Sequence, residues 1–567
     1  MTKNKIAIAQ INTKSGDLEY NAKLIIENII EAQKNNVDLV IFPELALCGI
    51  GLKDAIKRHP IIAAQNQFWI EEIAKIATKI CAIIGFINND FENSVAIIKD
   101  GKITNIIKES NPTTIEIEGK NYYISLGNKK IKDIKTNGID AIINICTKPT
   151  SIEKEYKLNK NLSKISKENS MPIIYVDLIG ATDGLVFDGL SRVYNNGVLT
   201  AFAKPFEQDL LICDPFEESE AVNYSTSSFK QEIFSLNYDA DLERTYKTLI
   251  LGIKDYFKKT GFKRAVLGLS GGLDSTVCAV LLTDALGAEN VLGISMPSKL
   301  TSKESKSDAQ ELAQNLGIRF IEAPIKEMVD VCDSNFQKLF GEIEKNWDYR
   351  YKQSFTMDNI QARSRAMFLW GVSNEFGNCL PIATSDKSES YMGYATINGD
   401  MSGGLAPIAD ITKTKLFALA RWLNKNRKSK NAIPEAIILK KPGAELAIDP
   451  NTGKTLNAED ALMPYEFLDE IIWRIENKNE NYNQMLQSVF LYEQTHQITK
   501  EQKTEWLDKF FRRMSTSFYK WSILPPAIVT DKHTINKMFY NQPITSSAIN
   551  YKGQSQNEIS EKIRCFL

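Results

Sequence analysis

Apolar positions in the first 214 residues come as short runs separated by longer stretches with helical spacing. The runs Ile6–Ile11, Val37–Phe42, Cys81–Ile87, Tyr122–Leu126, Ala141–Ile145 and Ile173–Leu178 predict buried strands. Over Leu18–Lys34, Leu24, Ile25, Ile29 and Ala32 share one face, which predicts a helix. Ser94–Ile103 contains an Asp100-Gly101 turn signal, and Asn195-Asn196-Gly197 marks another strand pair. This rhythm predicts a layered α/β domain over 1–214. Residues 215–240 are polar and aperiodic and read as a linker. From Asp241 a helix is expected with Leu242, Tyr246, Leu249, Ile250, Ile253 and Phe257 on one face, opening a second domain over 241–567. Ala265–Leu269, Val291–Met296, Ile318–Ile325 and Leu380–Ala383 then read as strands. Helices are expected from Ser275, over Glu304–Leu316 and around Asn359–Arg365. Successive βα units of this kind build a parallel sheet whose ligands sit at the C-terminal ends of the strands.

Composition narrows the class. Hydrophobic residues make up 43% and charged residues 25% of the 567, an ordinary globular mixture. Lys+Arg (69) nearly cancels Asp+Glu (70), so no basic surface points to nucleic acid. The eight cysteines form no CxxC pair, which argues against a zinc ribbon, a redox pair or a disulfide frame. No apolar run approaches a membrane span. The first residues lead into a strand and do not look like a signal peptide, so a cytoplasmic protein is expected. Only three histidines are present, which makes histidine acid–base chemistry unlikely to be central.

The sharpest motif is Gly268-Leu269-Ser270-Gly271-Gly272-Leu273-Asp274-Ser275. A strand stops at two glycines and a helix begins, so free backbone N–H groups, hydroxyls and the positive end of a helix dipole converge on one spot. Such a spot binds anions, and glycine lets the backbone approach phosphate closely. The lysine of a GxxxxGK[ST] loop is absent. The string resembles the pyrophosphate-binding loop of the N-type ATP pyrophosphatases, which cleave ATP between its α- and β-phosphates and adenylate a substrate. The resemblance places Mg²⁺ on Asp274.

The first half carries another resemblance. Gln10, Gly16-Asp17, Phe42-Pro43-Glu44-Leu45-Ala46-Leu47-Cys48-Gly49, Val186-Phe187-Asp188-Gly189 and Asn195-Asn196-Gly197 look like a nitrilase-type amidohydrolase. That chemistry needs a glutamate base, a lysine for the oxyanion and a cysteine nucleophile. Glu44 matches the glutamate and Lys108 the lysine. Where the cysteine should stand, Tyr122–Leu126 runs into Gly127-Asn128-Lys129. Cys48 and Cys146 lie elsewhere in the pattern and read as small core residues. The amidase chemistry is therefore expected to be lost, with Glu44 and Lys108 as vestiges and Gly127 at the vacant nucleophile position.

SGGLDS, then Asn359-Ile360-Gln361-Ala362-Arg363-Ser364-Arg365, Thr384-Ser385-Asp386-Lys387-Ser388-Glu389, Gly399-Asp400-Met401-Ser402-Gly403-Gly404 and Lys413-Thr414 occur in the order that resembles the NAD⁺ synthetase family. A nitrilase-like half joined to a synthetase half is the arrangement of its two-domain, glutamine-dependent form. The resemblance implies a nitrilase-like α/β sandwich followed by a Rossmann-type parallel-sheet domain similar to the adenine nucleotide α-hydrolases. It implies ATP-driven amidation of nicotinate adenine dinucleotide (deamido-NAD⁺) through an acyl-adenylate, a ligase reaction. It places ATP on Gly268, Leu269, Ser270, Gly271, Gly272, Leu273, Asp274, Ser275 and Thr384. The dinucleotide falls to Asn359, Arg363, Glu389 and Lys520, and Mg²⁺ to Asp274 and Glu389, the two expected catalytic positions. It further implies small-molecule substrates (deamido-NAD⁺, ATP and ammonia) and a homo-oligomer, with neither nucleic acid nor membrane as partner. Two departures stand out. Ser385-Asp386 replaces the usual Gly-Asn, and Trp521 follows Tyr519-Lys520 where the family has arginine. A glutamine-dependent enzyme with a displaced nucleophile and a non-catalytic scaffold are the competing readings.

Overall fold

The computed structural model describes residues 4–52, 58, 61–127, 131, 134, 137–151, 153–217, 239–345, 355–427, 430–443, 458–531 and 534. Backbone contacts divide the chain into two compact units, 1–231 and 232–567. The expected linker over 215–240 lies mostly outside the described residues.

The first unit holds two six-stranded sheets. Strand β1 (Ile6–Gln10) is followed by α1 (Leu18–Lys34), β2 (Leu39–Ile41), α2 (Ile61–Ala74), β3 (Cys81–Ile87), β4 (Asn93–Lys99) and β5 (Lys102–Lys108). Next come β6 (Thr113–Ile117), β7 (Lys120–Leu126), β8 (Ala141–Ile145), α3 (Lys154–Asn169) and β9 (Ile173–Val176). A hairpin of β10 (Ile179–Thr182) and β11 (Leu185–Asp188) precedes β12 (Arg192–Asn195), β13 (Val198–Phe202) and β14 (Asp209–Cys213). The sheet orders are β14-β1-β2-β3-β4-β5 and β13-β12-β9-β8-β7-β6.

Side chains alternate across each strand, and here both faces are apolar. Ile6, Ile8, Ile41 and Ile83 of one sheet share a core with Ile124, Leu126, Ile143 and Ile174 of the other. The outer face of the first sheet packs Ala7, Val40 and Ile84 with Ile25 and Ile29 of α1 and Ile70 of α2. The outer face of the second packs Ile142 and Ile173 with Leu158 and Leu162 of α3. Burial on both faces explains the unbroken apolar runs of the parallel strands. The Asp100-Gly101 turn signal within 94–103 marks a hairpin. Asp100 and Gly101 both take positive φ (51° and 76°) and turn the chain between β4 and β5.

In the second unit α4 (Asp239–Thr260) leads to a four-stranded parallel sheet in the order β17-β16-β15-β18. Its strands are β15 (Arg264–Gly268), β16 (Val291–Ser295), β17 (Arg319–Glu322) and β18 (Cys379–Pro381). The helices that position the site are α5 (Leu273–Leu286), α6 (Lys303–Leu316), α7 (Lys326–Glu344), α8 (Thr356–Phe376), α9 (Lys387–Tyr391) and α10 (Lys413–Asn426). Later come α11 (Tyr465–Lys478) and, with shorter helical turns between, α12 (Lys500–Trp521). Among the described residues no helix is long and apolar enough to cross a membrane.

Candidate active site

A cavity of about 790 Å³ opens at the C-terminal ends of β15, β16 and β18. The glycine motif forms its floor. Gly271 adopts φ +76°, and a Cβ there would lie 2.2 Å from the Ser305 carbonyl oxygen, so α6 presses directly on the loop. Ser275 Oγ accepts from the Ser270 N–H and donates to the Gly272 carbonyl, which ties the turn to the first turn of α5. Gly268, Leu269, Ser270, Gly272, Leu273 and Asp274 line the cavity, whereas Gly271 and Ser275 shape the loop from behind.

Beside the loop stands a cluster that sequence reading caught only in part. Lys413 Nζ lies 2.6 Å from Asp274 Oδ1, 2.8 Å from Asp386 Oδ2 and 2.9 Å from Glu389 Oε1. Lys413 is 1% exposed and Asp386 fully buried. Asp386 also caps α9, accepting from the Glu389 N–H at 2.8 Å. Burial pulls the Lys413 ammonium down, but the three carboxylates outweigh it and hold it above its ordinary value. Burial, and then the neighbouring carboxylates against the pull of Lys413, raise Glu389 well above the usual range. One ammonium therefore faces three carboxylates. The donor oxygens lie within 4.8 Å of one another. Asp386 Oδ2 is buried and paired to Lys413. Hard oxygen donors so placed fit Mg²⁺. Asp386, where the resemblance led us to expect asparagine, joins this cluster through one oxygen and caps the helix with the other.

Thr384, Asn359 and Lys520 reach the same cavity. Asn359 Oδ1 accepts from Thr396 Oγ1 at 2.7 Å. Lys520 Nζ donates to the Gly393 and Ala395 carbonyls at 2.7 and 2.6 Å. Arg363 does not reach it: its side chain is exposed and Nε donates to the Ile397 carbonyl. Two residues along α8 is about 200° around the helix, and it is Arg365 that lines the cavity, with Nε on the Met296 carbonyl. Lys413, Asp386, Arg365 and Arg513 were not singled out as site residues from the sequence. One signal was there for Lys413. A lysine opening a helix sits against the positive end of the dipole and needs a local anion to hold it.

In the first unit Glu44 and Lys108, matched by the resemblance to the amidase base and lysine, lie in different surroundings. Glu44 accepts from Asn93 Nδ2 at 2.7 Å and from Thr147 Oγ1 at 2.8 Å. Burial pushes its carboxyl up to about 7, with the Thr147 hydrogen bond opposing. Lys108 is not brought to Glu44; its ammonium pairs at the surface with Asp90 at 2.6 Å. The strand alternation turns the next residue inward, and Glu109 shares Asn93 Nδ2 with Glu44. Gly127 has φ +66°, and a Cβ on it would meet Glu109 Oε1 at 2.5 Å. Asn128 lies outside the described residues. Cys48 and Cys146 are buried, and burial pushes both thiols up to about 12.

Comparison with known proteins follows this geometry. The family model described as NAD synthase matches residues 245–509, and that described as carbon-nitrogen hydrolase matches residues 5–148. A glutamine-dependent NAD(+) synthetase of Thermotoga maritima is 33% identical over 526 residues, covering 83% of this chain and 88% of that protein. Its counterpart in Synechocystis is 31% identical over 535 residues, covering 86% and 90%. Among solved structures, a glutamine-dependent NAD+ synthetase from Acinetobacter baumannii in complex with ADP aligns with a TM-score of 0.67 at 25% identity. That alignment covers 96% of this chain and 98% of the other. A synthetase from Cytophaga hutchinsonii shares the fold, with a TM-score of 0.78 at 20% identity and the same coverage of the two chains.

Proposed function

The chain belongs to the family of glutamine-dependent NAD(+) synthetases, and from that premise we propose that it draws its nitrogen from free ammonia and not from glutamine. The reaction class is that of the family, carbon–nitrogen ligation driven by ATP. In this reading the nicotinate carboxylate of deamido-NAD⁺ attacks the α-phosphate of ATP, pyrophosphate leaves, and ammonia displaces AMP from the acyl-adenylate. The substrate supplies the nucleophile, so no side chain has to.

The chain's residues divide the work by position. The glycine turn over Ser270–Leu273 and the positive end of α5 face the phosphates of ATP. Thr384 borders the same space, and Asn359 and Lys520, which line the same cavity, hold the dinucleotide. Asp274, Asp386 and Glu389 are the groups that would hold Mg²⁺. When bound, the ion offsets charge developing on the phosphates. Lys413 carries the compensating positive charge among these carboxylates. The homo-oligomeric state expected from the resemblance remains part of the reading and rests on it alone, and the cytoplasmic setting rests on the sequence composition.

The support for ammonia use is Gly127. By the resemblance it falls where the amidase nucleophile belongs; it has no side chain, and the space a side chain would take is filled by the Glu109 carboxylate. Removing the nucleophile from such a unit typically costs on the order of 10⁶ in rate. The two nearby cysteines that could substitute are buried and resist ionisation. Steady-state assays with ammonium and with ammonium-free glutamine test the proposal. Turnover should be seen with ammonium, rising with pH as ammonia replaces ammonium, and be absent with glutamine. Sustained glutamine turnover that is lost in Cys48→Ala or Cys146→Ala would overturn it.

A further inference from the structure

The resemblance led us to expect two adjacent cations, at 520 and 521, at the dinucleotide end of the cavity, and residue 521 is tryptophan. Its side chain is 3% exposed, donates Nε1–H to the Ser390 carbonyl at 2.8 Å and packs edge-on to Tyr391 with ring centroids 4.7 Å apart. Consecutive helical residues point about 100° apart, so with Lys520 facing the cavity position 521 turns into the core. No charge there could reach the ligand.

Residues seven apart do share a face, and seven residues before Lys520 on α12 stands Arg513. Both line the cavity. Arg513 Nε donates to the Met392 carbonyl at 2.8 Å, which fixes the guanidinium. Its two terminal nitrogens donate to no described residue. Among the described residues, no carboxylate lies within ion-pair distance of Arg513 or Lys520, whose hydrogen bonds all go to the carbonyls of 392–395. Burial and then the neighbouring Arg512 charge hold Arg513 below its usual value, against the pull of Tyr394. Burial likewise holds Lys520 low; the Asp400 carboxylate opposes this and the Arg513 charge adds to it. Two partly buried cations held together without a contacting anion are a poor arrangement unless a ligand brings one.

We propose that Arg513 is a substrate-binding residue that, with Lys520, grips the diphosphate bridge of the dinucleotide and replaces the cation missing at 521. The proposal rests on the synthetase reading above. A guanidinium fork matches phosphate oxygens bidentately, which an ammonium cannot do. The phosphates of ATP are the competing anion. They are already served by the glycine loop, whereas Arg513 and Lys520 are anchored on the 392–395 segment.

The test uses the full-length protein with ammonium saturating. Arg513→Gln should raise the KM for deamido-NAD⁺ by about tenfold, in line with one lost charged hydrogen-bonding group. The KM for ATP and kcat should stay within about twofold, because the reacting groups are untouched. Direct titration calorimetry with deamido-NAD⁺ should show the same loss of affinity, and Arg513→Lys should recover only part of it. An unchanged KM for deamido-NAD⁺, or a rise in the KM for ATP instead, overturns the assignment. If Arg513→Gln fails to fold, Arg513→Lys decides: wild-type affinity there also overturns it. Failure of the wild-type protein to bind deamido-NAD⁺ at all would count against the synthetase reading, a result distinct from either.

Discussion

Lys413 shows how much of the site depends on one side chain. It is the only cation within contact of Asp274, Asp386 and Glu389 among the described residues, and it is buried. Breaking a buried charge group by removing one partner typically costs about 3 kcal/mol or more. Lys413→Met should therefore lower the melting temperature in metal-free buffer. Added Mg²⁺ should restore part of the loss, since a divalent cation stabilises the folded state that binds it. Equal melting temperatures for variant and wild type, with and without Mg²⁺, would contradict the arrangement. Glu44 gives a prediction of the opposite kind. Its folded value of about 7 lies above the ordinary carboxylate value of 4.5. A raised folded value favours the protonated form, so its contribution to stability is full below about 4.5 and is lost as pH rises through about 7. Glu44→Gln removes that dependence. The variant should gain on wild type between pH 5 and pH 8 by about 2 kcal/mol, allowing for partial exposure. Ammonia-dependent synthesis should be unaffected. A gap between the two proteins that does not change with pH, followed by calorimetry, would show that Glu44 is not held protonated. At this scale the sequence was legible where a motif fixes the residue, as for Asp274, Glu389, Thr384, Asn359 and Lys520, all at one cavity. It was not legible where strand or helix phase decides. Arg363 and Arg365 are chemically equal in the sequence, and α8 alone chooses between them.

Among the elements, the strand–loop–helix of β15, the glycine motif and α5 was plain because three independent signals agree. An apolar run stops, glycines follow, and a buried helical face begins. Its tightest point makes a direct test. Gly271 combines a positive φ with a Cβ position 2.2 Å from a backbone carbonyl, which cannot yield as a flexible side chain would. Gly271→Ala should cost about 2 kcal/mol or more of stability and weaken ATP binding together with it. A variant with wild-type melting temperature and ATP affinity would show that the loop is looser than this packing. Other elements gave no comparable signal. In β6, Thr113, Thr114 and Glu116 are exposed and the strand is an edge, so no buried alternation marks it. β14 is half-buried throughout and gains its place only by antiparallel pairing with β1, some two hundred residues earlier. α3 shows the same limit from another side. Its mean composition is strongly polar, and the buried Leu158, Leu162 and Ile165 form a stripe too narrow to stand out.

At the scale of the whole molecule, two units of different chemical standing are joined in one chain. The second has a cavity lined by the glycine loop, a carboxylate cluster and the cations Arg513 and Lys520. The first has both sheets and their helices, with Glu44 hydrogen-bonded to Asn93 and Thr147 and Lys108 paired with Asp90 at the surface. The fold class was legible in the sequence because parallel strands buried on both faces leave long apolar runs. The approach of the Glu109 carboxylate to Gly127 was not legible, because the two lie on segments that only the fold brings together. The central claim, that nitrogen comes from ammonia, is tested most directly by an isotope competition. The wild-type protein is given ATP, Mg²⁺ and deamido-NAD⁺ with ¹⁵N-ammonium and unlabelled glutamine at equal concentration, and the carboxamide of the product is read by mass spectrometry. The predicted result is NAD⁺ carrying ¹⁵N throughout the time course, unchanged as glutamine is raised. A product in which ¹⁴N rises in proportion to added glutamine would contradict it.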